Sequence, residues 1–544
     1  MEENLDLFFE PEKDDGNIEY KLKLINLSPE RINTLITQMK YRLNEGSGEA
    51  IYEIGIKDNG LIEGISEDQL LESIENLKKI AKENRSKCTI ISKKETNSKY
   101  IAEVLVREDL GINHFIDISI VVAGNVDAGK TTTIGHLITG KADNGRGSSR
   151  VNVLNYKHEV ESGRTSSISH QIIGFNNNGE IVNENKIKKL TWPEIVENSK
   201  KIITFYDLAG HEKYLRTTIS GFASTYPDYA MILVAANMGF NHMTKEHIAL
   251  CLSHNVPFFI VVTKIDLAPE NILKENLDKL KKLLKRPGVR KLVIDIKNKD
   301  DAILSCKNFN ESVVPLIEIS NVTGTNIPLF KFFLNLLQKR KNYKKHNSEP
   351  IEFNVDEKFL IQGIGTVVCG VLLKGSVRLN DNVLIGPDAS GLYQKTQIKS
   401  IHYKRVNVEI AEAGCYVCFN LKKIQKNWVR RGMVIISSLD QPLNVWYFDA
   451  EVSILQSHHT TIKEGYEPNL HINNISQTCT IKSIKKIIKK SNKLDEKDTI
   501  LRSGDKAIIK FKFKFRPVYV KEGYRIVFRE NKLRGIGIIK NIYN

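Results

Sequence analysis

The sequence predicts a multidomain chain: a small α+β unit, then a doubly wound α/β domain built round a glycine-rich loop, then two β-barrels. Three observations carry this reading. Gly124-Asn125-Val126-Asp127-Ala128-Gly129-Lys130-Thr131 fits G-x-x-x-x-G-K-[ST], and it lies between an apolar run (115–123) that reads as a strand and a segment (131–139) that reads as a helix ending at Gly140. From 115 to about 340, apolar runs alternate with helical periods, as in a parallel sheet covered on both faces. Beyond 349 the pattern changes to short strand-like runs between glycine turns.

At 544 residues the chain is too long for one core. Composition shifts divide it into 1–112, 113–341, 349–440 and 443–544. The net charge of +16 fits either an RNA- or ribosome-facing surface or a general bias towards Lys, Ile and Asn. Seven scattered cysteines suggest free thiols in a reducing compartment. Cys415-Tyr-Val-Cys418 has no second pair at zinc spacing and falls in an apolar run that reads as strand. There is no signal-peptide h-region and no apolar run approaching about 18 residues. The expectation is a cytoplasmic protein with no membrane contact, working as a monomer.

Residues 1–16 are acidic. In the first unit, 18–24, 50–56, 89–92 and 101–107 read as strands, 58–60 as a turn and 69–82 as an amphipathic helix. This unit carries no evident chemistry and reads as a docking or scaffold element. In the second, strands are expected at 201–206, 229–236, 257–262, 291–296 and 314–319, helices at 244–254, 270–284 and 327–337, and an insertion at about 171–199. The Lys-rich 339–346 reads as a linker. The barrel strands are expected at 359–361, 365–373, 382–385, 397–403 and 433–436, then at 445–454, 469–472, 478–484, 506–515 and 524–529.

The loop's glycines let backbone N–H groups point at phosphate oxygens, and the helix N-terminus favours an anion. Lys130 can neutralise β- and γ-phosphate charge, and the Thr131 hydroxyl can ligate Mg²⁺. A second element, Asp207-Leu-Ala-Gly210-His211, ends the strand at 202–206. Its carboxylate can hold Mg²⁺, the Gly210 N–H can approach a γ-phosphate, and His211 sits where a side chain can orient an attacking water. A third, Thr263-Lys264-Ile265-Asp266, selects guanine: the Asp266 carboxylate can accept from N1–H and N2–H₂, a donor pair that adenine lacks, while the Lys264 stem lies along the purine. Ser320-Asn321 follows the last strand and can contact guanine O6. A further Mg²⁺ hydroxyl is expected from Glu161-Ser-Gly-Arg-Thr165-Ser166-Ser167, from Thr165 with Ser166 as the alternative. In this order the motifs predict an enzyme that binds GTP or GDP with Mg²⁺ and hydrolyses GTP. No fixed arginine finger is evident, so slow intrinsic turnover and activation by a partner are expected.

These elements, followed by two β-domains, resemble translational GTPases of the elongation factor Tu and elongation factor 1-alpha type. The resemblance extends through Gly363-Ile-Gly-Thr-Val-Val-Cys-Gly370, Arg431-Gly432-Met433 and Glu464-Gly-Tyr-Glu-Pro468. Residues 19–24, 38–42, 143–147, 157–167, 207–214 and 243–247 are similar to one subfamily, that of GTP-binding protein 1 and GTP-binding protein 2. The resemblance implies that His211 moves in when ribosomal RNA triggers hydrolysis. It also implies that the β-domains grip aminoacyl-tRNA or a similar RNA, during elongation, rescue or mRNA surveillance. Within it, a GTP-switched adapter for the RNA-decay machinery with incidental hydrolysis is the alternative, and an RNA-binding protein with a degenerate nucleotide site a third reading. The sequence departs from the family at Thr263, where asparagine is common, and at Ala128, Asn321 and Gly163–Ser166. A threonine hydroxyl is expected to bridge less fully to the phosphate loop than an amide. The lysines 482, 485, 486, 489 and 490, with 510, 512 and 514 alternating with Phe511, Phe513 and Phe515, read either as solvated face or as RNA contacts.

Overall fold

The computed structural model describes residues 11–96, 98–109, 115–154, 168–184, 189–286, 289–455, 462–489, 500–529 and 533–543. The first unit runs β1 (Ile18–Lys21), α1 (Pro29–Glu45), β2 (Glu49–Ile54), α2 (Glu67–Glu83), β3 (Ser86–Thr96) and β4 (Lys99–Glu108). Its sheet has the order β1-β2-β4-β3, with β1 and β2 parallel. Sequence periodicity does not announce α1, yet its start is marked: Ser28 caps the helix by accepting from Arg31 N–H, with Pro29 just inside.

Alternation along β2 and β4 divides their side chains between two cores. Ala50, Tyr52, Ile54, Val104 and Val106 pack under α1 and α2. The opposite face carries three cross-strand rungs, Glu49–Arg107, Ile51–Leu105 and Glu53–Glu103. Ile51 and Leu105 join the same apolar cluster as Ile116, Phe333 and Leu336 of the next unit.

That unit contains β5 (Ile116–Gly124), α3 (Lys130–Thr139), β6 (Ser169–Phe175), α4 (Trp192–Asn198), β7 (Lys201–Asp207), α5 (Leu215–Thr225), β8 (Tyr229–Ala235), α6 (His242–His254), β9 (Phe258–Thr263), α7 (Glu270–Lys285), β10 (Leu292–Asp295), α8 (Lys299–Lys307), β11 (Val313–Glu318) and α9 (Ile327–Leu336). The sheet order is β10-β11-β9-β8-β5-β7-β6. All pairs are parallel except β6 against β7. Helices α3, α8 and α9 cover one face and α5, α6 and α7 the other. β5 lies between β7 and β8, where the winding reverses, so the loop after it opens at the sheet's switch point. The expected insertion at 171–199 begins inside β6, which is an edge strand of the sheet; Ile181 returns to bridge Phe175.

Residues 339–346 are not a free linker. Lys339 pairs with buried Asp228 (3.1 Å), and Lys341 Nζ donates to Tyr226 O (3.1 Å). The strap is held against the sheet before the first barrel begins.

That barrel is built from β12 (Glu352–Ile361), β13 (Gly365–Lys374), β14 (Val377–Arg378), β15 (Asn382–Gly386), β16 (Gln394–Tyr403), β17 (Val406–Val408), β18 (Ile410–Ala411), β19 (Tyr416–Leu421) and β20 (Val434–Ser437). The ring β15-β20-β12-β13-β19-β16 closes through β15–β16 pairing. The second consists of β21 (Tyr447–Ile454), β22 (Asn469–Ile472), β23 (Ile475–Lys489), β24 (Lys506–Phe513), β25 (Arg525–Arg529) and β26 (Leu533–Tyr543), closed in the order β21-β24-β23-β22-β25-β26. Phe511 and Phe513 point into this core against Phe448, with centroids 5.3 and 5.0 Å away. β24 ends at Phe513, so Phe515 leaves the alternation and is 66% exposed.

Both barrels are tied to the α/β unit. Tyr403 OH donates to Asp117 (2.7 Å), Lys404 pairs with Asp117 (3.1 Å), and Arg431, paired with Asp356 of its own barrel, donates to Ser224 Oγ (3.0 Å). Leu215, Ile219, Met243 and Leu250 of α5 and α6 bury Val527 of β25.

Candidate functional site: a phosphate and base cleft

The loop after β5 is shaped by what its backbone must approach. A Cβ at Gly124 would lie 2.6 Å from Leu233 O, so only glycine lets β5 leave the sheet so close to β8. Gly129 (φ 80°) caps α3 in the left-handed region, and Asp127 (φ 59°) shares it. Lys130 folds back over the loop, donating to Gly124 O (3.1 Å) and Asn125 O (2.9 Å). Burial pulls its ammonium below the usual lysine range, opposed by Asp207 and Asp127.

β7 delivers Asp207 to the same place. Thr131 Oγ1 donates to Asp207 Oδ2 at 2.6 Å, both side chains buried. The following loop lies hard against the phosphate loop: a Cβ at Gly210 would press on Lys130 Nζ and lie 2.6 Å from Gly124 O. A hydroxyl and a carboxylate side by side, with a lysine above them and glycine backbone closing the cradle, make an oxygen-rich donor set that fits Mg²⁺. Among the described residues this pair is what the structure offers. Thr165 and Ser166, expected as the further hydroxyl, lie outside the described residues.

His211 is exposed at the cavity's rim, where its Nδ1 accepts from Lys213 N–H (3.0 Å). Val126, Asp127, Gly129, Lys130, Thr131, Gly210, His211 and Lys264 line one cavity. Arg150 also lines it, and no sequence motif had pointed there. Its place is set by Asp143, whose carboxylate accepts the N–H groups of Gly145 (2.9 Å), Gly147 (3.1 Å) and Ser149 (2.9 Å). Burial would raise the Asp143 pKa, but these amides hold it below the usual range. An aspartate followed by closely spaced glycines was the available signal.

The base-side elements converge as well. Thr263 Oγ1 donates to Ala128 O at 2.9 Å, a single bond from β9 to the loop after β5. Lys264 (φ 59°) turns the chain after β9, and Asp266 accepts from Ser320 Oγ (2.6 Å). Asn321, expected with Ser320 to offer backbone and side chain to guanine O6, also has partners within the protein. Its Nδ2 donates to Thr133 Oγ1 (2.8 Å) and its carbonyl accepts from Asp143 N–H (2.9 Å). Its side chain braces α3 and the 143–149 loop.

Two further clefts open between units. One of about 460 Å³ lies between the α/β unit and the first barrel, with His170, Trp192, Tyr206, Phe359 and Tyr416 in its walls and Lys404 and Arg405 among the lining residues. Another, of about 340 Å³, lies where α5 meets both barrels and is lined by Arg430, Arg431 and Arg516.

Comparison with known proteins agrees with this architecture. The elongation factor Tu GTP-binding domain model matches residues 117–342, that of domain 2 residues 365–436, and that of the C-terminal domain residues 443–543. GTP-binding protein 1 of Xenopus laevis is 41% identical over 97% of this chain and 79% of its own length. GTP-binding protein 2 of Homo sapiens is 40% identical over 98% of this chain and 88% of its own. Among solved structures, translation elongation factor SelB of Methanococcus maripaludis in complex with the GTP analogue GppNHp superposes with a TM-score of 0.55 at 20% identity, over 79% of this chain and 80% of that one. A bacterial selenocysteine-specific elongation factor, EF-Sec, gives 0.55 at 21%, over 78% of this chain and 58% of that one.

Proposed function

Because this chain belongs to the translational GTPase family, alongside GTP-binding proteins 1 and 2, we propose that it uses the cleft after β5 as a GTP switch governing its hold on aminoacyl-tRNA or another RNA at the ribosome. As a member of this family it binds GTP and hydrolyses it to GDP and phosphate. The observation that carries the site assignment is the 2.6 Å contact between Thr131 Oγ1 and Asp207 Oδ2 beneath Lys130. In our reading Gly124–Thr131 and Gly210 hold the phosphates, while Thr263, Lys264, Asp266 and Ser320 hold guanine. Mg²⁺ bound by Thr131 and Asp207 would neutralise charge on the β- and γ-phosphate oxygens.

Water attacks the γ-phosphate in line and GDP leaves with the bridging oxygen. With Nδ1 accepting from Lys213, a neutral His211 ring carries its proton on Nε2. From Nε2 it can donate to the water and so orient it. Because His211 stands at the rim, bringing it over the water requires the loop to move, which is the physical reason for stimulation by a partner. Exposed Arg405 at one cleft and half-buried Arg516 at the other support an RNA-facing role for the two barrels. Such work belongs in the cytoplasm; among the described residues no helix is long and apolar enough to cross a membrane.

The test is GTP turnover by purified protein, with and without ribosomes and aminoacyl-tRNA. Stimulation of about 10²-fold or more, abolished in His211→Ala with nucleotide affinity unchanged, is the expected result. Tight GTP binding without stimulation by either component would replace this reading with the adapter for RNA decay.

A further inference from the structure

We propose that the outer face of the second barrel, centred on β24, is an RNA-binding platform separate from the clefts between units and independent of the bound nucleotide. β22, β25 and β26 are the strands turned towards α5 and α6. The ring order β21-β24-β23-β22-β25-β26 puts β24, flanked by β21 and β23, on the far side.

The face alternates with the core. Ile509, Phe511 and Phe513 are buried, so Lys510 and Lys512 point outward. Register sets Tyr447 between Lys512 of β24 and Tyr543 of β26, giving two rings side by side. The cations stand over those rings. Lys510 Nζ is 5.6 Å from the Tyr447 centroid and 4.8 Å from that of Tyr543; Lys512 is 5.1 Å from Tyr447 and Lys485 5.3 Å from Tyr543.

The arrangement is anchored from beneath. Asp449 is 1% exposed and accepts from both Lys485 Nζ and Tyr543 OH at 2.6 Å. One buried carboxylate thus holds a lysine and a tyrosine in place while the other cations stay available. Among the described residues no carboxylate lies within ion-pair distance of Lys482, Lys510 or Lys512. Their field is felt locally: the Lys512 hydrogen bond, with Lys482 and Lys510 nearby, draws the Tyr447 phenol below its usual pKa.

Cations interleaved with accessible aromatic rings match a polynucleotide better than an acidic peptide. Phosphates answer the lysines, and bases have planar faces to lay on tyrosine. The face includes no residue of the nucleotide cleft, so it has no contact through which GTP and GDP would be distinguished.

The experiment is fluorescence anisotropy of the full chain with a labelled, unstructured RNA of about ten nucleotides, from about 50 to 200 mM KCl. It is run with GDP, with a non-hydrolysable GTP analogue and without nucleotide. The triple variant Lys482→Gln, Lys510→Gln, Lys512→Gln should weaken binding at least ~10-fold near 100 mM salt and flatten the log–log salt dependence by about 2, since each single-strand phosphate contact contributes about 0.7. Tyr447→Leu should weaken binding about 5-fold without changing that slope. Replacing the same number of exposed lysines on α7 (Lys274→Gln, Lys282→Gln, Lys285→Gln) should change affinity less than about 2-fold. All these values should be the same in the three nucleotide states. An equal loss from the α7 set would overturn the proposal, reducing it to net charge. Competition by polyglutamate equal, charge for charge, to that by RNA would overturn it in favour of an acidic protein. RNA binding that requires GTP and ignores the β24 lysines would refute this platform and leave the RNA site of the proposed switch standing; a chain unable to bind GTP would leave this measurement fully readable.

Discussion

Asp266 offers a carboxylate whose Oδ1 is already held by Ser320 Oγ, which fixes the group's orientation before any base arrives. Hydrogen bonds to a charged group contribute about 1.5–3 kcal/mol. Asp266→Asn is therefore expected to weaken GTP binding by about 10-fold or more. The amide's N–H should in turn admit xanthosine triphosphate, whose C2 carbonyl is an acceptor; competition binding with the two nucleotides checks both halves. His247 makes a different prediction. It is 0% exposed in α6, and burial, with Lys130 nearby, pushes its pKa down to about 3. An unfolded histidine titrates near 6.5, so the unfolded chain takes up the proton first. Stability from the neutral ring is complete above about pH 6.5 and is lost as pH falls towards 3, by about 1.4 kcal/mol per pH unit in that window. His247→Leu should show a shallower fall in urea midpoint between pH 7 and 5 than the wild type. At this scale the meeting of Lys130, Thr131 and Asp207 at one cleft, with Asp266 beside Ser320, was legible, because motif spacing encodes those contacts. Arg150 was not, because its position depends on a loop folded round Asp143; nor was the bond from the Asn321 amide to α3.

Elements were legible where one period dominated. β8 and β9 are apolar runs buried on both faces, β5 and β7 are apolar runs interrupted by a few polar residues, and the positions of all four agree with the sequence to within a residue or two. The strand that closes the second barrel was missed. β26 contains Gly535 and Gly537, which interrupt any strand-like pattern. Both are required by close approach: a Cβ at Gly535 would press into the Phe528 ring, and one at Gly537 would lie 2.5 Å from Glu451 O. Gly535→Val is accordingly expected to destabilise the barrel by about 1–3 kcal/mol, read as a lower urea midpoint. α8 was missed for another reason. Its apolar face is short, and its boundary is written in the Asn298–Asp301 capping box.

Across the whole molecule, the first unit is held to the α/β unit by ionic rungs that no motif records. Lys201 Nζ donates to Glu49 Oε2 (2.9 Å) and Asn335 O (2.7 Å), while Arg107 bonds both Glu49 (2.8 Å) and Asn335 Oδ1 (2.9 Å). Burial would raise the Glu49 pKa, but Lys201 and Arg107 keep the carboxyl below its usual range. Lys201→Met leaves that carboxylate with one cation and should cost about 3–5 kcal/mol. Faster proteolysis in the first unit and a lower urea midpoint are the expected readouts. Because Lys201 opens β7 and Asp207 ends it, the docked unit grips the strand that carries Asp207 at its other end.

The rungs also have a consequence in time. Glu49, Glu53, Glu103 and Arg107 are made early, whereas Lys201 follows roughly ninety residues later and Lys307, which pairs with both Glu53 and Glu103, roughly two hundred. At a synthesis rate of about 5–20 residues per second, the finished first sheet waits for seconds to tens of seconds before the lysines of the next unit exist. An apolar face would spend that interval as an aggregation hazard. Here β2 and β4 carry a single apolar rung, Ile51–Leu105, with Ile91 of β3 in the same cluster, and charged rungs fence it on both sides. The nascent chain can carry this surface through water until the partner strand has been made.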